Sequence, residues 1–351
     1  MRVHITDLID GDKLKNDVFN HYGLHVLSKG TTLNKQEISR LLQHQIDFVE
    51  IEDRAAVPNA SRTLESTVSP KWLPNVKPIY EHTIRSIETF FEKALNEGKI
   101  DDDEVSKAID PLLNNLQLER DVVSMLLLLN TTDNYTYQHS VQVGMLSYYL
   151  ATWMGYSPQD ASLIGKAGFL HDIGKSKIDY EILNRPDKLT AEEFENVKLH
   201  TIYGYEIINN SMPDSIIALG ALQHHERVNG SGYPHGLKGE AIHPIAKIIA
   251  VVDIYSAMIS ARVYQKERDL LFVLRELHRL SFEELDPTTT HMFIRHMIPN
   301  FIGKKVKLNN DKYGIIVMTH PTEFFRPLVR IDDEFIDLTL ERQYEIVHVY
   351  L

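Results

Sequence analysis

A histidine pair at the end of an apolar helical pattern, followed by a glycine-rich loop, restricts how this 351-residue chain can fold. Ile217, Ala221 and His224 recur at helical spacing, so His224 continues a buried stripe and His225 lies beside it. The loop Asn229–Pro234 reads Asn-Gly-Ser-Gly-Tyr-Pro. Two imidazoles at a helix end could bind a metal, and the loop amides could bind an anion. Taken alone, however, a buried histidine is more often a hydrogen-bonded core residue.

The composition limits both the class of protein and the kind of metal site. A chain of 351 residues exceeds one ordinary core, which predicts two or three domains. Because cysteine is absent, disulfides and thiolate sites are excluded, and His, Asp and Glu ligands favour Mn, Fe, Zn or Mg. The net charge of −12 argues against long nucleic acids and anionic membranes, but a small phosphate substrate remains compatible. We predict a cytoplasmic protein, since the sequence shows neither a signal peptide nor a membrane-spanning run.

Patterning along the chain predicts a mainly α protein with a small module at each end. Residues 1–52 read as a small α+β adaptor or regulatory module. Residues 53–76 form a proline-interrupted linker, and residues 77–300 follow a helical period that predicts a helical bundle core. In residues 301–351 the period changes to two, which predicts a small all-β barrel or meander.

Residues of metal-ligand type lie on the buried faces of five predicted helices in the bundle. They are His139, His171, Asp172, His200, His224, His225 and Asp253. A carboxylate on an apolar face is costly unless it is neutralised or bound to a cation. Each residue alone is more often a satisfied core polar group, but seven together suit a di-metal centre bridged by a carboxylate. Asp172, between a histidine and a glycine-containing turn, is the natural bridge.

Three further features could give such a centre something to act on. Lys175 lies three residues beyond Asp172 and could place an ammonium near a phosphate or a departing alkoxide. The loop could hold Tyr233 rigidly for stacking on a base, and Arg262 could clamp a phosphate. Each has a bland alternative that is about as probable: a solvated helix charge, an ordinary turn and a surface arginine.

The ordered set of motifs resembles the HD-GYP family of cyclic di-GMP phosphodiesterases, a branch of the HD metal-dependent phosphohydrolases. The matching segments are His139 in Tyr-Thr-Tyr-Gln-His-Ser, His171 to Lys175, His200 in Leu-His-Thr-Ile-Tyr-Gly, His224-His225-Glu226, Gly232-Tyr233-Pro234 and Asp253 in Val-Val-Asp-Ile-Tyr. The resemblance covers roughly residues 130 to 270. It implies an HD-type helical bundle in which the seven residues bind two divalent transition metal ions, Fe or Mn. It also implies that Lys175, Tyr233 and Arg262 contact substrate, together with Gly232 and Pro234 of the loop.

The chain departs from the family pattern at three positions. Members with a third metal carry Glu at the position of Tyr135, so we expect two metals and weak cleavage of the linear product. Ser256 stands where the family often has a second aspartate, and Gln265 stands where it often has a basic residue. We expect the last two changes to affect substrate affinity more than metal binding.

The resemblance implies hydrolysis of cyclic di-GMP to pGpG, with slow further cleavage to GMP left open. A hydroxide bridging the two metals at Asp172 would attack phosphorus, while Lys175 would stabilise or protonate the leaving 3′-oxygen. Two alternatives stay open. One is a catalytically weak or inactive cyclic di-GMP receptor, and the other is a phosphodiesterase for another cyclic dinucleotide such as 3′,3′-cGAMP. A homodimer is also open.

Overall fold

The computed structural model describes most of the chain in two compact units, Met1–Thr67 and Val68–Leu351. The described residues are 2–4, 8, 11–19, 25–34, 37, 41, 46, 48–52, 73–116, 122, 135–183, 189–259 and 270–350. The predicted fold class, a mainly α protein with a small α+β N-terminal module and an all-β C-terminal segment, is confirmed. The proposed boundaries at residues 52, 76 and 300 stay predictions.

The N-terminal unit is built from two short antiparallel pairs. Strand β1 (Arg2–His4) pairs with β4 (Phe48–Glu50), and β2 (Val18–Phe19) pairs with β3 (His25–Leu27). These strands enclose a small apolar core of their own. Its fully buried members include Leu14, Leu33, Leu41 and Ile51. This segment therefore has its own hydrophobic core, which favours its folding as a module.

The second unit is a bundle of helices. They are α1 (Leu73–Glu97), α2 (Asp102–Leu116), α3 (Tyr135–Trp153), α4 (Pro158–Leu170), α5 (Tyr180–Leu183), α6 (Ala191–Lys198), α7 (His200–Ser211), α8 (Ile216–Gln223), α9 (Pro244–Ile259), α10 (Leu270–Leu280) and α11 (Pro287–Met297), with 3-10 turns at Ile173–Lys177, Gly239–Ala241 and Ile298–Phe301. Local sequence sets several of the helix starts. Ser157 caps α4 ahead of a proline at its first turn, and Thr190 with Glu193 forms a capping box at α6.

Helices α3 and α4 pack closely because both carry glycine at their crossing. A Cβ atom added to Gly168 would lie 2.9 Å from Gly144 Cα, and one added to Gly144 would lie 2.3 Å from the Phe169 ring. Helix α9 crosses the same core with a run of buried residues from Ile245 to Asp253. This packing brings the polar residues of α3, α4 and α9 to one place inside an otherwise apolar interior.

The C-terminal segment is a five-stranded antiparallel sheet in the order β8-β7-β6-β5-β9. Its strands are β5 (Lys305–Leu308), β6 (Tyr313–Met318), β7 (Leu328–Ile331), β8 (Glu334–Asp337) and β9 (Ile346–Tyr350). Alternate residues of β5, Val306 and Leu308, join the core that the helices bury. Among the residues described, no helix combines the length and the apolar character that crossing a bilayer requires.

We expect Gly174→Ala to destabilise the second unit strongly. The Ile173–Lys177 turn lies against α7, and a Cβ at Gly174 would sit 1.9 Å from His200 O and 2.4 Å from Gly204 N. Backbone atoms cannot yield as a flexible side chain can, so we expect a loss of about 3 kcal/mol or more. Thermal unfolding should show a drop in Tm of roughly 6 °C or more. Gly165→Ala is the control, because its added methyl would meet side-chain atoms at 3.1 Å and beyond. Equal losses in both variants would contradict this explanation.

Candidate metal centre

The structure brings all seven predicted ligand residues together, although they come from five separate segments. His139 lies on α3, His171 and Asp172 follow α4, His200 begins α7, His224 and His225 follow α8, and Asp253 lies on α9. They form two groups, one of His139, His171 and Asp253 and the other of Asp172, His200, His224 and His225. Within each group, one potential ligand atom per residue lies within 4.8 Å of every other.

Asp172 lies between the two groups. Its Oδ2 is 3.3 Å from His171 Nε2, and its Oδ1 is 3.4 Å from His200 Nε2 and 3.8 Å from His224 Nε2. On the far side, Asp253 Oδ1 is 3.0 Å from His139 Nε2 and 3.8 Å from His171 Nε2. One carboxylate therefore faces imidazoles of both groups, which is the arrangement that a bridging ligand requires.

Three of the imidazoles are oriented by the carbonyl oxygen of the residue three positions earlier in the chain. His171 Nδ1 is 2.8 Å from Gly168 O, and His200 Nδ1 is 2.6 Å from Val197 O. His224 Nδ1 is 2.9 Å from Ala221 O. A carbonyl only accepts, so in the neutral ring Nδ1 carries the hydrogen and Nε2 presents its lone pair to the centre. This is the usual way in which a protein prepares a histidine for a metal.

Two buried atoms of the centre lack a hydrogen-bond partner among the described residues. They are His171 Nε2 and Asp172 Oδ1, and each points toward the other ligand atoms. Leaving such atoms unsatisfied costs about 1–3 kcal/mol each. A divalent cation would satisfy both, and a set of imidazoles and carboxylates without thiolate suits Fe, Mn or Zn. The residues present therefore fit a metal ion.

The ionisation states also suit metal binding. Burial lowers the pKa of His200 to about 4 and that of His225 to about 3, and it lowers the pKa of His224 as well. These rings are neutral at pH 7, as ligands must be. Burial alone would raise the pKa of Asp172, but the neighbouring charges of His171 and Lys175 hold it well below its ordinary value.

His171 behaves differently from the other buried imidazoles. Burial by itself would lower its pKa, yet the adjacent Asp172 carboxylate, helped by Asp253, raises it above the ordinary value. Without a cation in the centre, the neighbouring carboxylates therefore favour the protonated form of this ring. That proton neutralises part of the carboxylate charge that a metal would otherwise balance.

Lys175 lies directly beside the proposed bridge. Its Nζ is 2.5 Å from Asp172 Oδ2, and its side chain is about a quarter exposed. The 3-10 turn Ile173–Lys177 carries it there, anchored by the close approach of Gly174 to α7. An ammonium in contact with both the centre and solvent could meet a phosphate group arriving from outside.

The glycine-rich loop folds back onto the metal-ligand segment. A Cβ at Gly232 would lie 2.4 Å from His225 O, so only glycine permits this approach. The next residue, Tyr233, donates its N–H to His225 O at 3.2 Å. Its ring stacks on the His225 ring, with centroids 4.6 Å apart and planes at 30°. The sequence predicted that Tyr233 could stack on a base, whereas one ring face already packs against His225. Pro234 follows through a cis peptide.

Glu226 is a residue to which the sequence assigned no role. It is buried, and each of its carboxylate oxygens accepts one backbone N–H from the loop, from His235 at 2.8 Å and from Leu237 at 2.9 Å. In the sequence, a carboxylate directly after two candidate ligand histidines and ahead of a glycine-rich loop could have indicated this role. Glu226 thus ties the loop to the metal-ligand segment.

Three positions with predicted roles fall wholly or in part outside what the structure describes. Arg262, the proposed phosphate clamp, and Gln265 lie in residues 260–269, which are not among the described residues. Tyr135 is the first residue of α3, but its side chain is not described. The roles of these positions, including the expected lack of a third metal, stay predictions.

Comparisons with known proteins agree with this architecture. Residues 122–289 match the model of the HD domain family. The cyclic di-GMP phosphodiesterase PA4108 of Pseudomonas aeruginosa is 31% identical over 247 residues, covering 70% of this chain and 59% of that protein. The 3′3′-cGAMP-specific phosphodiesterase 1 of Vibrio cholerae is 32% identical over 203 residues, covering 57% of this chain and 44% of that protein.

A solved structure shows the same fold. Bd1817, an HDG"Y"P protein from Bdellovibrio bacteriovorus, superposes with a TM-score of 0.52 at 18% identity, covering 84% of this chain and 97% of that one. Residues 122–289 of the chain are therefore similar to the HD domain family, whose phosphohydrolases are metal-dependent. The resemblance of the chain to the HD-GYP phosphodiesterases is confirmed by this match and by the similarity to named cyclic di-GMP phosphodiesterases. The chain nevertheless spans only 59% and 44% of the lengths of the two relatives.

We expect metal binding at pH 6.5 to release on the order of one proton per chain. The pKa of His171 is raised, so this ring is mostly protonated at pH 6.5 and must lose its proton to bind a metal. His200 and His225, with pKa values of about 4 and about 3, are already neutral. Apparent affinity should accordingly fall as the pH decreases below the pKa of His171. Calorimetric titration with Mn(II) in two buffers of different ionisation enthalpy measures the release, and equal heats in both buffers would contradict it.

We expect Glu226→Gln to loosen the loop. A glutamine offers only one acceptor oxygen, so one of the two loop N–H groups loses its partner at a cost of about 1–3 kcal/mol. Hydrogen exchange at His235 and Leu237 should then become faster, while exchange in α9 stays unchanged. Glu192→Gln, at an exposed carboxylate in the first turn of α6, is the matched control. Unchanged protection in the Glu226 variant would show that the carboxylate does not hold the loop.

Proposed function

We propose that this chain is a metal-dependent phosphodiesterase that hydrolyses cyclic di-GMP to the linear dinucleotide pGpG. The observation that carries the proposal is Asp172, a buried carboxylate that faces imidazoles of both groups and contacts Lys175. The similarity to a protein named as a cyclic di-GMP phosphodiesterase supports the choice of substrate.

The seven clustered residues would hold two divalent ions, and we propose Fe or Mn. His139, His171 and Asp253 would hold one ion, while His200, His224 and His225 would hold the other, with Asp172 shared. When bound, the ions would supply an activated water and neutralise charge on the phosphodiester. The neutral imidazoles leave the centre with a net positive charge once the ions are present, which attracts a phosphate despite the acidic chain.

Lys175 is the proposed proton donor. Hydrolysis forms a bond between a water oxygen and phosphorus and breaks the bond to the 3′-oxygen, which must then gain a proton. The Lys175 ammonium carries protons at Nζ, and its contact with Asp172 Oδ2 holds it at the edge of the centre. Asp172 thus both joins the two groups of imidazoles and positions the donor.

The loop is the proposed contact for the substrate. Gly232 brings the backbone close to the centre, and Tyr233 covers His225 with its ring. Pro234 limits the freedom of the loop, and Arg262 is the proposed clamp for the phosphate that is not cleaved. The cytoplasmic location and a homodimer stay predictions.

A second substrate has support from one observation. A relative that is 32% identical over 203 residues is named as specific for 3′3′-cGAMP. The two cyclic dinucleotides share the phosphodiester that the centre would cleave, so the difference between them lies in contacts to one base. Both must therefore be tested.

The test is turnover of each cyclic dinucleotide by full-length protein purified without oxygen and loaded with Fe(II) or Mn(II). We expect conversion of cyclic di-GMP to pGpG. Lys175→Met should lower kcat by about 10²-fold or more with metal content unchanged, whereas Asp172→Asn should lose metal. Lys177→Met is the matched control, because Lys177 lies on the same turn but donates to Leu95 O. Binding of cyclic di-GMP without turnover would favour the receptor, and turnover of 3′3′-cGAMP alone would change the substrate.

A further inference from the structure

His139 is held differently from the three histidines that donate to helix carbonyls. Its Nδ1 lies 3.1 Å from Ser256 Oγ, and its Nε2 lies 3.0 Å from Asp253 Oδ1. Ser256 and Asp253 are both on α9, whereas His139 is on α3. The orientation and the proton of this ring therefore depend on side chains from another helix.

The direction of these hydrogen bonds follows from a third residue. Ser256 Oγ donates to Gln142 Oε1 at 3.1 Å, and Gln142 stands one helical turn after His139 on α3. A hydroxyl has a single proton, and an amide oxygen can only accept. Ser256 gives its proton to Gln142, so its oxygen must accept from His139. In the neutral ring the hydrogen is then on Nδ1, and Nε2 carries a lone pair.

This tautomer creates a conflict that a cation resolves. A lone pair on Nε2 faces a carboxylate oxygen of Asp253 at 3.0 Å, so two acceptors point at each other inside the core. Such a contact is unfavourable unless a cation lies between the two atoms, and in the metal-free protein a second proton on Nε2 would take the place of that cation. With the opposite tautomer, Nε2–H would donate to Asp253 and the ring would have no free lone pair there for a metal.

We propose that Ser256 and Gln142 are positioning residues that select the metal-binding tautomer of His139. They thereby set the affinity of the ion held by His139, His171 and Asp253. The inference rests on the proposed metal centre but not on the proposed substrate. It also gives Ser256 a role in metal binding, whereas the sequence had linked this position to substrate affinity. A serine at this position needs an acceptor for its own proton, and Gln142 supplies one.

The test is a Mn(II) titration of the metal-free full-length chain, following the electron paramagnetic resonance signal of free Mn(II). In Ser256→Ala, His139 Nδ1–H loses its acceptor. We expect one of the two ions to bind about 10–100-fold more weakly, while the other keeps its affinity. Ser256→Thr, which retains the hydroxyl, should restore most of the affinity. Ser147→Ala is the matched control, because Ser147 is a buried α3 serine whose hydroxyl has no hydrogen-bond partner among the described residues.

Two variants at Gln142 separate tautomer selection from a merely structural role. Gln142→Glu keeps an acceptor facing Ser256, so both ions should bind within about threefold of the parent. Gln142→Leu removes the acceptor and should weaken the same ion as Ser256→Ala does. The ¹⁵N shifts of His139 in the protein loaded with diamagnetic Zn(II) should show the hydrogen on Nδ1 in the parent and in Gln142→Glu.

Three outcomes would overturn the proposal. They are parental affinity for both ions in Ser256→Ala, equal weakening in the two Gln142 variants, and a His139 hydrogen on Nε2 in the Zn(II)-loaded parent. Circular dichroism of each metal-free variant identifies one that has not folded, and the ¹⁵N shifts of the parent decide the question even then. Because no measurement uses a substrate, failure of cyclic di-GMP hydrolysis leaves this proposal standing, and its failure leaves the proposed substrate intact.

Discussion

Two carboxylates, Asp172 and Asp253, are buried inside the helical bundle, and their charge is the constraint on which the arrangement of the helices depends. An isolated buried carboxylate would cost several kcal/mol, so each must meet compensating groups. Lys175 and five imidazoles supply them, and these come from the ends of helices that must all converge on one point. Even so, His171 Nε2 and Asp172 Oδ1 lack hydrogen-bond partners among the described residues. Cations bound inside the bundle would give these two atoms partners, so metal binding should contribute to the stability of the bundle.

The buried positions of the candidate ligands could be predicted from sequence because helical periodicity fixes which face a residue occupies. His139, His200 and Asp253 each lie in register with apolar neighbours, and that register places them in the core regardless of the exact packing. The C-terminal strands could be predicted from sequence equally well, since the alternation of Val306 and Leu308 with lysines is a local signal. In both cases the information lies within one element, so tertiary contacts only confirm what the period already implies.

Contacts between elements could not be predicted in the same way. Ser256 and His139 are 117 positions apart, and no local pattern indicates that they share a hydrogen bond. Glu226 reaches loop amides nine and eleven residues ahead, which requires knowing that Gly232 folds back against His225. The stacking of Tyr233 on the His225 ring has the same origin. A sequence motif identifies the residues of the site. The polar partners that orient these residues depend on contacts between segments that are far apart in the sequence.

The same loop contacts imply that metal binding and substrate binding at the proposed centre would not be independent. Tyr233 N–H donates to the carbonyl of His225, and its ring covers the His225 imidazole. Any ion that orients His225 also orients the platform that a substrate would meet, and any substrate that shifts Tyr233 acts on a ligand. Glu226 strengthens this coupling because it fixes both ends of the segment. A loop substitution that weakens substrate binding by disturbing this contact should therefore also weaken one metal ion. By linkage, the ion should tighten substrate binding by the same factor by which the substrate tightens binding of the ion.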